Sequence, residues 1–574
     1  MIRRLFPILE WLPNYKKDYI KGDLFAGVTV GILLIPQGMA YALIAGLPPI
    51  YGLYAALTPQ VIYAILGTSR QLAVGPVAMD SLLVATGLGA LALSSPEEYI
   101  LLAIALSFMV GLLQIIMGLL NMGFVVSFLS KPVISGFTSA AAIIIGMTQI
   151  KHLLGIPIPT GSQIYEVLQS ILMHFSSINL FSLYIGLSAL TLMFVLGKFK
   201  FKVPGVIIIM VLGILLSKFF SWEEKGIQIV GKVPQGLPNF SIPEISLYNL
   251  IELFPFAITL ALIAFMEAIS LAKAFQEKHN NYEVQPNQEL IALGGANIMG
   301  SFFQSYPTTG GFSRTAINDQ AGAKSGIASL VSAFVVSLIL LFFTPWFYYL
   351  PKTILAAVII RAVVRLIDFQ YPKRLFLYHR QEFFVLILTL ILTVSLGIKE
   401  GILLGVLFSL LHLVYRTSKP HHAILGRVGN TPYFRNINRF PDKVTLREDL
   451  LILRFDGQLY FGNIQYFKNL IQYHLENKSG LVKGLILNAE SIHYIDATAT
   501  KQLVIFFGKL KKNGIRILIA GAIGPTRDRI FKSKLIEILK AENLFIDTND
   551  AVDHFDGFLD KSGIKDDIRR QNND

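Results

Sequence analysis

The stretch SYPTTGGFSRTA, Ser305 to Ala316, lies in the hydrophobic part of the chain, yet it does not read as an ordinary membrane-spanning helix. Pro307 lacks a backbone donor and the Gly310-Gly311 pair is a poor helix former, so a continuous helix is interrupted here. Ser313 and Arg314 follow directly, a hydroxyl and a permanent positive charge at the start of whatever helix resumes. A matching interruption occurs in the first half of the chain, in QLAVGPVAMDS from Gln71 to Ser81, with Gly75-Pro76 at the break. Two Gly/Pro-broken segments in corresponding places of two hydrophobic halves point to the binding site of a secondary transporter. If both helices restart near the membrane midplane, their free N–H groups and positive dipole ends converge there. An anion suits such a place.

Composition agrees. The 574 residues are 53% hydrophobic, with a mean hydropathy of +0.57 and only 15% charged residues, against about 25% in a soluble chain. The deficit is concentrated before residue 416, which makes that part membrane-embedded and the remainder soluble. The net charge of +13 reads as cytoplasmic loop charge rather than as a nucleic-acid surface. The absence of cysteine excludes disulfides, cysteine zinc sites and thiol catalysis. Residues 1–22 carry Arg3, Arg4, Lys16, Lys17 and Lys21 without a short apolar core and cleavage site, so the first span is expected to stay in the membrane. Gly322-Ala323-Lys324-Ser325 lacks the glycine directly before the lysine that a phosphate loop requires, and HExxH and GxSxG are absent. Neither an enzyme nor an ATP-driven pump is expected, and no cofactor or metal.

Fourteen spans are predicted, near 24–45, 49–66, 72–91, 98–120, 124–149, 180–197, 203–220, 250–273, 287–303, 309–321, 325–345, 352–366, 380–397 and 399–416. With the N-terminus inside, the inner connections carry Arg70, Lys131, Lys198, Lys200, Lys202, Lys273, Lys278, Arg365, Lys373, Arg374 and Arg380. The outer connection 221–248 sets Lys225 and Lys232 against Glu223, Glu224 and Glu244. That asymmetry, with Trp222 and Trp346-Phe347-Tyr348-Tyr349 at the outer surface, places both termini in the cytoplasm. A bacterial inner membrane is the expected location. Seven crossings reverse the second half against the first, giving a 7+7 inverted repeat near 20–220 and 248–416 within a transport domain of 23–416. The repeat shows in layout: Gln37 precedes Gly75 by 38 residues, and Glu267 precedes Gly310 by 43.

Beyond Arg416, residues 417–442 read as a basic, turn-rich linker. From 443 to 560, strands at Leu450–Phe455, Gly484–Asn488 and Ile515–Ala520 alternate with helices at Ile464–Asn477, Ala499–Lys512 and Arg527–Ala541, the pattern of a small α/β domain. The tail 561–574 is polar.

Glu267 is the only acid in the apolar run Phe254 to Ala272, six residues from Lys273, hence roughly 9 Å deep from that end. Such a carboxylate is a functional hypothesis by default, with a structural partnership to a buried base such as Arg314 as the alternative. In low dielectric it can neutralise itself by taking a proton, which a nearby arginine opposes. Arg314 reads as an anion anchor through its planar fork of donors, or else as an arginine snorkelling to an interface. Gln37 and Tyr41 share a helix face and either line a cavity or bond between packed helices. Phe137 lies in the small-residue run SGFTSAAA, which more often signals close helix packing.

Several long motifs then resemble one family, the SulP anion permeases or sulfate permease family. DLFAGVTVGILLIPQGMAYALIAGLPPIYGLYAAL (Asp23 to Leu57) looks like its signature, TSRQLAVGPVAMDSLL (Thr68 to Leu83) and NIMGSFFQSYPTTGGFSRTA (Asn297 to Ala316) are similar to its half-helix regions, and GKVPQGLP (Gly231 to Pro238) resembles its outer segment. The resemblance implies fourteen spans in core and gate subdomains, a cytoplasmic STAS domain at the C-terminus, and a homodimer. It implies that Gly75, Pro76, Val77 and Ala78 face Gly310, Gly311, Phe312, Ser313 and Arg314 around a small inorganic or carboxylate anion. Gln37 and Tyr41 would line one side and Phe137 the gate-facing wall, with Glu267 as the family's eighth-span acid. Sodium-coupled bicarbonate members have an aspartate followed one turn later by a threonine. This chain has Glu267 and Leu271, which favours protons. Anti-sigma-factor antagonists phosphorylate the serine of D-S-[ST]-G, whereas this chain reads Asp496-Ala497-Thr498-Ala499. Docking of a cytoplasmic partner or dimer organisation is therefore expected of the STAS domain rather than a phosphoswitch. The expected function is proton-coupled symport of sulfate, bicarbonate or a dicarboxylate, with an uncoupled anion channel or an exchanger as the alternative.

Overall fold

The computed structural model describes residues 5–89, 91, 95–124, 130–156, 164–196, 205–243, 247–364, 367–478 and 480–558. Lys198, Lys200, Lys202, Glu244 and Arg365, used above for orientation, and the tail 561–574 lie outside the described residues. The chain divides into two compact units, Met1–Ser409 and Leu410–Asp574.

In the first unit the helices that carry the predicted spans are α1 (Tyr19–Ile44), α2 (Pro49–Ala55), α3 (Thr58–Leu66), α4 (Ala78–Gly89), α5 (Pro96–Leu119), α6 (Lys131–Leu154), α7 (Leu180–Leu196) and α8 (Gly205–Phe219), then α9 (Leu247–His279), α10 (Pro286–Phe302), α11 (Phe312–Gln320), α12 (Ile327–Phe342), α13 (Lys352–Val363), α14 (Arg380–Leu396) and α15 (Ile398–Ser418), which runs on into the second unit. Two short strands precede the broken helices, β1 (Val74–Gly75) before α4 and β2 (Thr309–Gly310) before α11. Among the described residues, six helical stretches are long and apolar enough to cross a membrane. The fourteen predicted spans each fall on a helix, on the α2–α3 pair, or on a strand with its half-helix, a layout that fits fourteen crossings. The expected breaks at Gly75-Pro76 and Gly310-Gly311 are both present. Pro36 and Pro255, by contrast, sit inside continuous helices, as neighbouring segments in a membrane protein permit.

The helices pack in two groups. One joins α1–α5 to α9–α12, with α5 against α10 and α1 against α12 as its main contacts. The other joins α6 to α13 and α14, and α7 to α13. Small residues set the approach in the first group: a Cβ on Gly111 would come within 2.6 Å of the Gly294 carbonyl oxygen, and one on Gly294 within 2.6 Å of Gly111's. Between membrane helices, where water exclusion drives little, such closeness supplies the van der Waals attraction. Three acids in this unit are committed to holding segments together. Asp23 accepts from the Lys324 and Ser325 amides at 2.6 and 3.1 Å. Glu289 accepts from the Thr68 amide at 2.7 Å and the Tyr63 hydroxyl at 2.6 Å. Asp319 pairs with Lys278 and His279.

The second unit contains β3 (His422–Val428), β4 (Phe434–Asn436), β5 (Val444–Thr445), β6 (Leu450–Phe455), α16 (Ile464–Glu476), β7 (Gly484–Asn488), α17 (Ala497–Lys512), β8 (Arg516–Ala520), α18 (Gly524–Phe531), α19 (Leu535–Leu539), β9 (Leu544–Phe545) and α20 (Thr548–Phe555). The sheet order is β4-β3-β6-β7-β8-β9, with β6 to β9 parallel and β3 antiparallel to β6. The stretch read as a linker thus holds two strands of the sheet, because HAILGRV alternates and registers His422 against Phe455. The helix expected over Arg527–Ala541 is divided into α18 and α19, where the Ser533 hydroxyl turns back to the Ile530 carbonyl and accepts from the Leu535 amide.

Candidate functional site

The two breaks meet. β1 and β2 pair antiparallel, Val74 opposite Gly310 and Gly75 opposite Thr309, so two segments more than two hundred residues apart form one ribbon from which α4 and α11 depart. The pairing is reinforced on each side. Gly311 N–H donates to the Ala73 carbonyl, and Ala73 N–H donates to Thr315 Oγ1, each at 3.1 Å. The Asn318 amide donates to the Gln71 carbonyl at 2.9 Å. Upstream of β2, Asn297 clamps Thr308, accepting from its amide at 2.8 Å and donating to its carbonyl at 3.1 Å. Thr309 Oγ1 donates to the Ala264 carbonyl on α9 at 2.6 Å, which fixes the ribbon one turn from Glu267. The hydroxyls of Tyr306 and Ser81 bond at 3.0 Å.

Arg314, in the first turn of α11, lies at the centre. It is 1% exposed, which rules out snorkelling to an interface. Its Nη1 donates to the Pro76 carbonyl at 2.6 Å, while Nε and Nη2 are buried without partners. The groups whose charge or dipole acts on it are Tyr41, Tyr306, Asp80 and Glu267. No hydrogen bond or salt bridge among the described residues joins Arg314 to either acid. The structural-partner alternative for Glu267 therefore lacks its bond, and the guanidinium keeps donors free for a ligand. Buried unpaired donors are costly unless something accepts from them. Two helix N-termini and a planar fork of free N–H groups can hold a small oxyanion by charge and by direct hydrogen bonds.

The structure gathers most of the residues singled out in the sequence. Gly75, Pro76, Ala78, Gly310 and Gly311 are buried at the ribbon and helix starts, and Val77 is half-buried. Gln37 and Tyr41 are buried on α1, with Gln37 Oε1 lacking a partner. Glu267 is half-buried on α9. Phe137 is fully buried on α6 in the same apolar cluster as Tyr41 and Tyr306. Ser313 is half-buried like Val77 and Glu267, and Phe312 is 65% exposed, outside the enclosed part of the site. Three buried residues that the structure places around the ribbon and Arg314 were not singled out in the sequence: Asp80, Tyr306 and Asn297. A signal existed for Asp80, the sole acid of the predicted span 72–91, to which the rule applied to Glu267 applies equally.

A helical membrane unit with two half-helices opposed around a buried guanidinium, followed by an α/β domain, defines a multi-pass anion transporter rather than an enzyme. The chain belongs to the sulfate permease family, whose model matches residues 20–389, with the STAS domain model matching 443–551. It is 38% identical over 585 residues to sulfate transporter 4.1, chloroplastic, of Arabidopsis thaliana, covering 98% of this chain and 84% of that one. The structure of the murine Slc26a9 anion transporter in its inward-facing state superimposes with a TM-score of 0.89 at 26% identity, covering 97% of this chain and 94% of that one. The transmembrane domain of the cyanobacterial bicarbonate transporter BicA shares the fold, with a TM-score of 0.59 at 23% identity over 69% of this chain and 98% of its own.

Proposed function

We propose that the protein is a secondary active transporter of a small anion of the sulfate, bicarbonate or dicarboxylate class. It works by alternating access with proton symport, and the anion sits between the N-termini of α4 and α11 and on Arg314. The observation that carries this reading is the Arg314 guanidinium, 1% exposed, bonded once to Pro76 and otherwise unpartnered. The names of the Arabidopsis relatives put sulfate first among the anions to test. Glu267 is the coupling acid: it borders the site, and the residue one turn on is Leu271, whose side chain offers no oxygen to a sodium ion. Anion arrival favours protonation of a neighbouring carboxylate, which links the two binding events. The charge asymmetry of the connections supports cytoplasmic termini. The Arabidopsis relatives lend no support to a bacterial inner membrane.

The test is uptake of labelled sulfate, bicarbonate and a C4-dicarboxylate into proteoliposomes under imposed pH or sodium gradients, wild type against Glu267→Gln. An inward proton gradient is expected to drive accumulation that falls in the variant. Sodium-driven accumulation, or undiminished proton-driven accumulation in the variant, overturns the assignment.

For the second unit we propose docking and organisation of a homodimer. Asp496 is engaged as the cap of α17, accepting from the Ala499 amide at 2.6 Å and the Phe461 amide at 2.9 Å, and Ala497 offers no hydroxyl. Truncation after Ser418 is expected to retain sulfate binding and alter the oligomer mass measured by light scattering. A truncated chain that folds but binds no sulfate would place part of the site in the second unit.

A further inference from the structure

The two half-helices carry opposite charges at equivalent positions. Asp80 is the third residue of α4, and Arg314 is the third residue of α11. Asp80 is 0% exposed, and neither carboxylate oxygen has a hydrogen-bond partner. It is thus unlike Asp23, Glu289 and Asp319, whose oxygens are all engaged. The charged groups acting on it are Glu267 from α9 and Arg314 from α11. Tyr306, in the segment leading to β2, lies in its field and also in that of Tyr41 on α1. The helices α5 and α6, which pack against α4 as well, add no charged group to this set.

A buried carboxylate with no donor must either be neutral or be balanced by a charge nearby. Arg314 supplies one positive charge for two acids, so the site with both ionised carries a net charge of minus one. A dianion would take it to minus three, in an enclosure where one uncompensated charge is already costly. One proton on each acid returns it to minus one. An ionised Asp80 also occupies the dipole end of α4 that the anion requires, and protonation releases it.

We propose that Asp80 is a second proton-binding site, so that two protons travel with each dianion and the cycle moves no net charge. Asp80 takes its proton from water on the side where the anion enters, forming one carboxyl O–H. It gives that proton up to water on the other side when the anion leaves. This rests on the reading of Glu267 above and adds a second acid to it.

The experiment uses the purified full-length chain in proteoliposomes with labelled sulfate, the membrane potential being held at zero by potassium and valinomycin. It reads the pH gradient at which a tenfold sulfate gradient produces no net flux. Coupling to two protons puts that balance at about 0.5 pH unit, and coupling to one at about 1 unit. The expected values are about 0.5 for wild type and for Asp80→Glu, and about 1 for Asp80→Asn and for Glu267→Gln. In the two amide variants uptake also becomes sensitive to an imposed potential, because one uncompensated negative charge then crosses per cycle. A wild-type balance at about 1 unit overturns the proposal, and does so even if Asp80→Asn fails to fold. So does a balance that Asp80→Asn leaves at about 0.5 while Glu267→Gln alone moves it, an outcome in which the Glu267 reading survives. Flux that follows sodium and ignores pH overturns both, and a wild type that moves no sulfate overturns the proposal of two protons per dianion.

Discussion

The arm formed by β1 and α4 and the arm formed by β2 and α11 share a plan: a two-residue strand, a break, and a half-helix whose third residue is charged. They differ in nearly everything that fills the plan. The first breaks with Gly75-Pro76, bears Asp80 and is buried from Ala78 to Ala85. The second breaks with Gly310-Gly311, bears Arg314, exposes Phe312 at its start and has Asp319 pinned by Lys278 and His279 at its far end. Even the glycines serve different needs. A Cβ on Gly311 would lie 2.7 Å from Arg314 Cζ, whereas one on Gly75 would meet Arg314 Nη2 at an ordinary 3.5 Å. Gly75 is required by its backbone instead, with φ at +157°. An inverted repeat settles where two helix ends are brought together, and the residues within each arm then settle the sign of the charge placed there.

The comparison breaks most completely if the base-bearing arm is neutralised. Arg314→Ala removes charge-assisted donors worth about 3 kcal/mol together and leaves Asp80 and Glu267 facing the anion unopposed. Sulfate affinity is therefore expected to fall by about 100-fold or more, measured by equilibrium binding to purified protein that remains monodisperse on gel filtration. Arg314→Lys should recover part of the loss, since it keeps the charge without the fork. Unchanged affinity in Arg314→Ala would mean that the anion sits elsewhere.

A smaller effect separates the two glycines. In Gly311→Ala the new methyl must push the guanidinium aside, so sulfate binding should weaken by about tenfold while the melting temperature moves little. In Gly75→Ala the methyl fits, but the backbone is strained by roughly 1–2 kcal/mol, so melting should fall with a lesser change in affinity. Measuring both quantities on both variants sharpens the contrast between room for a ligand-binding group and room for the chain. If each variant lowers both quantities equally, the contrast is lost.

Much of this architecture is legible in the sequence because the signals are local. Gly-Pro and Gly-Gly inside apolar runs announce the half-helices, and a lone Glu267 in an apolar span announces itself by its cost. Asp80 obeyed the same cost rule, but the segment holding it was read for its break and not for its acid. Other parts have no local trace. That Val74 pairs with Gly310, or that Asn297 clamps Thr308 while Ser107 bonds to the Asn297 carbonyl, depends on the three-dimensional meeting of distant segments. Phe312 was assigned to the anion site along with its neighbours, but consecutive helical residues point about 100° apart, and Arg314 and Thr315 are buried while Phe312 is exposed. In the second unit, β3 was hidden because its basic and glycine residues read as linker chemistry, although the alternation of HAILGRV was available.

The smallest expected effect concerns the one side-chain bond that ties Asp80's neighbour to the other arm. Ser81 and Tyr306 lie 225 residues apart, and their hydroxyls bond at 3.0 Å in a buried setting. Ser81→Ala and Tyr306→Phe each remove one hydroxyl and leave the other without its partner. Each should destabilise the protein by roughly 1 kcal/mol, and the double variant by less than the sum, because the second deletion removes the group stranded by the first. Thermal unfolding of the four proteins in one detergent measures this coupling. Sulfate affinity should stay within about threefold in all of them, since neither hydroxyl is a charged ligand of the anion. Strictly additive losses would show that the Ser81–Tyr306 bond does not couple the two arms. A tenfold loss of affinity in Tyr306→Phe without the coupling would move that phenol from the scaffold into the anion's own contacts.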